Sequence, residues 1–209
     1  MKTRIVAIAG LILSLGLSSC GDEATTDTPK EDTQICLYSY NEGSTEFTWT
    51  AYKTSAKVGV PGTFNEITVT SEASENAMEV IESIEFSMNT STVESTNPER
   101  DAKIAESFFG TINTPEITGK VTGVNEETGM ATIMIMMNGI AFEIEGDYTM
   151  EDEKFSYSST IDVSSWNGMA GIDALNEVCS LLHTGDDDVS KLWSEIGLSF
   201  TTTLVSDCK

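Results

Sequence analysis

Apolar and polar residues alternate with a period of two through most of the chain beyond residue 45. Phe47, Trp49 and Ala51 alternate with Thr48, Thr50 and Tyr52; Phe142, Ile144, Gly146 and Tyr148 stand against Glu143, Glu145 and Asp147. That period puts one set on an apolar face and the other in water, as in a half-buried strand. TFNEITVTS, VIESIEFSMN, EITGKVTGVN, MATIMIMMNG, KFSYSSTIDVSS and IGLSFTTTLVS are further strand candidates. They are rich in β-branched and aromatic residues and bounded by polar turns, so they predict hairpins. NEETG at 125–129 and MEDE at 150–153 are the clearest turns.

Two segments break the alternation. NPERDAKIAESFFG has Pro98 where a first helical turn tolerates it and Gly110 beyond the end, which predicts a short helix. In IDALNEVCSLLH, Leu175, Val178, Cys179 and Leu182 recur at helical spacing and form one apolar stripe. About eight antiparallel strands with two short helices predict an all-β fold, either a closed barrel or a sandwich.

The N-terminus reads differently. MKTRIVAIAGLILSLGLSSC opens with Lys2 and Arg4, runs apolar from Ile5 to Leu17 and ends in small residues, the layout of a secretory signal. LSSC resembles a bacterial lipobox, with Leu17 three positions before a cysteine and Ser18 and Ser19 between. Residues 1–19 are therefore expected to be a lipoprotein signal peptide, with Cys20 lipidated and anchoring the chain to a membrane. Residues 20–34 follow as an acidic tether, since GDEATTDTPKEDTQ has no apolar residue larger than alanine and cannot offset the entropy of ordering. The acidic stretch after the cysteine, and Gly21 in place of aspartate, point to the outer membrane, with its periplasmic and surface faces both open. Residues 35–209 are left as one domain.

Charge and missing motifs narrow the function. The net charge of −23 becomes −25 when Lys2 and Arg4 leave with the signal, which excludes nucleic acid as a partner. GDDDVS lacks the alternating oxygen ligands and closing glutamate of a calcium loop, so it reads as a solvated loop. One histidine, His183, rules out a multi-histidine metal site. It closes the second helix, where a cation would favour the helix dipole. No G-x-S-x-G elbow, P-loop, dinucleotide fingerprint or Cys-x-x-Cys occurs. The expectation is a non-enzyme without a metal or cofactor.

From Thr45 to Leu204 the order of motifs resembles the YceI-like family. STEFTWTAYKT stands as the first strand, and KVGVPGTFNEITV carries a Gly-x-Phe turn at Gly62 and Phe64. NPERDAKIAESFFG carries an Arg-Asp pair, Arg100 and Asp101, followed at helical distance by Phe108 and Phe109. IMIMMNGIAFEIE matches a strand that usually reads aliphatic, Thr, aliphatic, His, Gly, here Ile135, Met136, Met137, Asn138 and Gly139. The segment from Ile161 to Trp166 and the strand after KLWSEIGLSF complete the likeness. Met136 and Asn138 depart from the usual threonine and histidine, and GMAGIDALNEVCSLLHTGDDDVSKLW is longer than in the simplest members.

The resemblance implies a lipocalin-like closed antiparallel barrel in the bacterial envelope, with a polyisoprenoid-type lipid as ligand. In the family register Trp49, Phe86, Ile133, Ile135, Met137, Phe142, Ile144, Ile161, Val163 and Phe200 point inward, and Phe108 and Phe109 seal one end. Arg100, the only arginine after the signal, either locks the closing helix or meets a polar head group at the barrel mouth. Two of Cys36, Cys179 and Cys208 can pair. Cys36 and Cys208 flank the first and last strands, which lie close in a closed barrel, so that pair is preferred, with Cys179 a buried thiol on the helical stripe. The expected function is a non-catalytic carrier of an isoprenoid-type or other apolar lipid; the alternative is an envelope interaction module with a solidly packed barrel.

Overall fold

A computed structural model describes residues 35–209. The expected signal peptide, the lipidated Cys20 and the tether lie outside the described residues.

The first strand, β1 (Cys36–Ser39), pairs with the last, β12 (Val205–Cys208), and bridges Ser74 through Tyr38; a Cys36–Cys208 disulfide joins the ends of the two strands. The remaining ten strands form one antiparallel sheet. Its chain order runs β2 (Glu46–Lys53), β3 (Val58–Phe64), β4 (Ile67–Thr70), helix α1 (Ala77–Glu82), β5 (Glu85–Asn89) and the two-residue β6 (Val93–Glu94). Helix α2 (Pro98–Lys103) then runs into a π-helical turn, Ile104–Phe109. Four long strands follow: β7 (Glu116–Asn125), β8 (Met130–Met137), β9 (Ile140–Glu151) and β10 (Lys154–Asp162). Helices α3 (Met169–Val178) and α4 (Ser180–His183) precede β11 (Leu192–Thr203).

In space the order is β4-β5-β7-β8-β9-β10-β11-β2-β3-β6. The expectation of a closed barrel of about eight strands is corrected here. The sheet curls into a half-barrel whose edges are β4 and the two-residue β6, which covers only Thr63 and Phe64 and leaves the rest of β3 open; β3 and β4 follow one another in sequence but do not pair. Two local features explain this. Pro61 lies in β3 and has no N–H to give a further neighbour, which suits an edge strand. Beyond Phe64 the chain turns at Asn65, whose N–H donates to the Thr92 carbonyl at 2.9 Å. TFNEITVTS is thus two strands. VIESIEFSMN likewise begins as helix: the Asn76 side chain accepts from the Met78 N–H at 2.9 Å and caps α1, which carries Val80 and Ile81 before β5 begins.

The alternation reads truly along the long strands. On β8, Ala131, Ile135 and Met137 are buried while Met136 is exposed. A bulge at Thr122 shifts the β7–β8 register between Val121 and Gly123, so Val121 and Val124 both reach the inner face. Asn138 and Gly139 connect β8 to β9 with φ of 49° and 69°, the conformation of a type I′ hairpin. Apolar residues gather towards the two ends of the sheet. One group centres on Phe108, Phe109, Trp166 and Ile172, beneath the π-turn and α3; the other on Val80, Ile81, Phe155 and Leu204, beside α1.

Candidate functional site

Between the two groups the concave face of the sheet lines a cavity of about 190 Å³. Its wall is built from the inward positions of nearly every strand. Of the residues expected inward, Trp49, Phe86, Ile133, Ile135, Met137, Ile144, Ile161, Val163 and Phe200 all border it. Phe47, Phe64, Ile84, Ile117, Phe155, Tyr157, Ile196 and Leu198 join them, none of which the pattern had assigned to the lining.

Phe108 and Phe109 cover one end. Their rings meet edge to face at 5.0 Å, and Phe109 lies 5.9 Å from Phe64, which stacks on Phe47 at 6.3 Å. The π-turn aims both rings inward: the Gly110 N–H reaches back five residues to the Ala105 carbonyl at 2.9 Å. That wider turn lets consecutive residues, Phe108 and Phe109, both be buried.

Two expected site residues lie elsewhere. Phe142 has the inward parity of Ile144, but it stands at the end of the sheet, 45% exposed, beyond the cavity. Trp166 comes between, fully buried, 5.4 Å from Phe142 and donating its indole N–H to the Ile135 carbonyl at 3.1 Å. Asn138 amide donates to the Trp166 carbonyl at 2.9 Å, so the residue standing in place of a histidine holds this plug.

Arg100 does not reach the cavity either. Its Nε donates to the Ser95 hydroxyl at 2.7 Å and a terminal nitrogen donates to the Ser95 carbonyl; Ser95 in turn donates to the buried Asp101 carboxylate. The guanidinium braces the turn before α2 and faces a separate, shallower groove of about 710 Å³ along the β3 and β4 edges. Glu42, Glu46 and Glu94 share that groove. Thr45, Phe47, Phe64, Ile67 and Val69 border both spaces, so these five side chains are the partition at the seam.

His183 corrects another expectation. It is buried with Nδ1 2.9 Å from Asn176 Oδ1. Burial, helped by Lys53, pushes its pKa down to about 4. The ring is therefore neutral at physiological pH and cannot act as a cation at the helix end. Cys179 is a free thiol, buried under α3. Among the described residues no three His, Cys, Asp or Glu side chains converge as metal ligands.

A curled antiparallel half-barrel around an apolar cavity has the concave, hydrocarbon-lined form common to small-molecule sites. Residues 38–203 match the YceI-like domain family, and the chain belongs to it. The fold is similar to a polyisoprenoid binding domain from Saccharophagus degradans implicated in plant cell wall breakdown. The TM-score is 0.57 at 9% identity, over 83% of this chain and 99% of that one. It is also similar to BcnA of Burkholderia cenocepacia, with TM-score 0.51 and 12% identity over 76% of this chain and 96% of the other. No curated protein sequence matches the chain.

Proposed function

We propose that this protein is a non-catalytic carrier that holds an isoprenoid-type or other apolar lipid chain within the half-barrel, tethered to the bacterial envelope, at the outer membrane, through a lipidated Cys20. The observation that carries this reading is the cavity itself. Its wall is almost wholly hydrocarbon and aromatic, and each methylene moved there from water contributes about 0.8 kcal/mol. Protein interiors otherwise leave few voids larger than a water molecule, so a deep apolar space of about 190 Å³ is room kept for something apolar. The family membership and the polyisoprenoid binding of the Saccharophagus domain support the same class of ligand by analogy.

The test is a titration of polyprenols of increasing length against the chain and against Ile133→Trp, which places an indole in the middle of the space. Affinity is expected to rise with chain length in the wild type and to fall at least tenfold in the variant. Equal binding by both proteins would show that the chains bind elsewhere.

A further inference from the structure

The cavity wall contains few polar side chains, and nearly all are occupied. The Thr45 hydroxyl is 2.8 Å from that of Thr202, the Trp49 indole N–H donates to the Thr63 carbonyl at 3.2 Å, and the Trp193 N–H donates to the Thr54 carbonyl at 2.8 Å. Ser199 is exposed to water, which leaves Tyr157 as the buried exception. It borders the cavity, is only 4% exposed, and its hydroxyl has no hydrogen-bond partner. The neighbouring Ser159 donates to the Glu145 carbonyl at 2.7 Å and lies close enough to lower the phenol pKa, but not in hydrogen-bond geometry with the phenol.

A buried hydroxyl left unpaired costs about 1–3 kcal/mol, and phenylalanine would fill the same place without that cost. The surroundings suit a guest oxygen better than a water. The Tyr157 ring crosses the inner face of β9 at Gly146, where a Cβ would stand 2.6 Å from Cζ; Ala131 is the register partner of Gly146 on β8. Two of the smallest residues thus flank the phenol. A lone water needs about two to four polar partners, whereas a guest oxygen needs only this one donor. Burial pushes the phenol pKa up, with Glu145 and Asp147 adding to the rise and Ser159 opposing it, so the hydroxyl keeps its proton and can donate.

We propose that the molecule held in the cavity carries a hydrogen-bond-accepting oxygen, a carbonyl, ether or hydroxyl set along an otherwise apolar chain, and that the Tyr157 hydroxyl donates to it. Tyr157 then determines specificity: the protein prefers oxygenated apolar chains to plain hydrocarbons of the same length. The proposal rests on the carrier reading and adds the chemistry of its guest.

Two probes separate the two ideas: heptadecane and the seventeen-carbon ketone with its carbonyl on the middle carbon, each titrated against the full chain and against Tyr157→Phe by displacement of a fluorescent aminonaphthalene. In the wild type the ketone is expected to bind about three- to tenfold tighter than the alkane, the gain of one net hydrogen bond. In Tyr157→Phe the ratio falls to about one, whatever the change in absolute affinity for either chain. The ketone's carbonyl infrared band should move to lower frequency in the wild-type complex only. Alkane binding with no ketone preference, or a preference that survives in Tyr157→Phe, overturns the Tyr157 proposal and leaves the carrier reading standing. Failure of both chains to bind the wild type overturns the carrier reading and this proposal with it.

Discussion

Trp49 on β2 and Gly62 on β3 are register partners, and a Cβ added to Gly62 would stand 2.1 Å from Trp49 Cζ2. The indole occupies the place of a side chain on the neighbouring strand. Phe86 and Gly119 repeat the device on β5 and β7, where the corresponding gap is 2.2 Å. In both pairs the glycine lets one large ring cover two strands of the cavity wall, which keeps the wall smooth and aromatic.

Gly62→Ala should therefore displace the indole rather than be absorbed. Overpacking of this kind costs about 1–3 kcal/mol. Thermal melts should fall accordingly, and the Trp49 indole should lose its bond to the Thr63 carbonyl and emit differently. Unchanged melting and emission would show that the ring has room to spare.

The disulfide closes a loop of sequence separation 172 between the two ends of the domain. Cys36→Ser with Cys208→Ser is expected to lower stability by about 2–5 kcal/mol while leaving the central sheet paired. Peptide mapping without reduction should find Cys179 unlinked, because it is buried away from the β1–β12 ribbon.

Arg100 acts through Ser95. Arg100→Ala should cost about 1–3 kcal/mol, the range for losing hydrogen bonds from a charged donor. A double-mutant cycle with Ser95→Ala should show coupling between the two. Affinity for an apolar chain should change less than twofold, since the guanidinium does not border the cavity. A large loss of affinity with stability intact would assign Arg100 to the ligand instead.

His183 predicts a pH dependence whose sign follows from its lowered pKa. The unfolded ring titrates near 6.5 and the folded ring at about 4. Between those values the unfolded state binds the extra proton, so the stability His183 contributes is full above about pH 6.5 and declines as pH falls towards 4. Solvent screening reduces the effect to about 2 kcal/mol. Comparing urea melts of the wild type and His183→Gln at pH 7 and 4.5 isolates it from the many carboxylates. The wild type should lose more stability on acidification than the variant.

Period-two patterning was enough to find the long strands, because β7 to β11 each bury one face and wet the other. The seam was not legible. Whether β3 and β4 pair depends on Pro61 and on a turn at Asn65 held by Thr92, which sits 27 residues further along the chain. Helix α1 was hidden because Val80 and Ile81 look like the start of a strand; the capping Asn76 was the signal that could have separated them. Parity alone put Phe142 with Ile144, and only the position of Trp166 shows that the cavity stops short of it. Arg100 lies on the segment expected to close the domain, yet its partner, Ser95, is a serine that nothing in the pattern marked. The Tyr157 hydroxyl was missed for a related reason: in KFSYSSTIDV an inward tyrosine reads as one more aromatic, and its lack of a partner exists only in three dimensions.

The most direct test of the central claim is organic extraction of the protein purified from a bacterial envelope, followed by mass spectrometry of what is released. The account predicts one apolar chain per protein, bearing oxygen, and absent from Ile133→Trp prepared in the same way. An extract that stays empty, and remains so after the wild type is incubated with polyprenols and long-chain ketones, would contradict it and leave a half-barrel whose space has no guest.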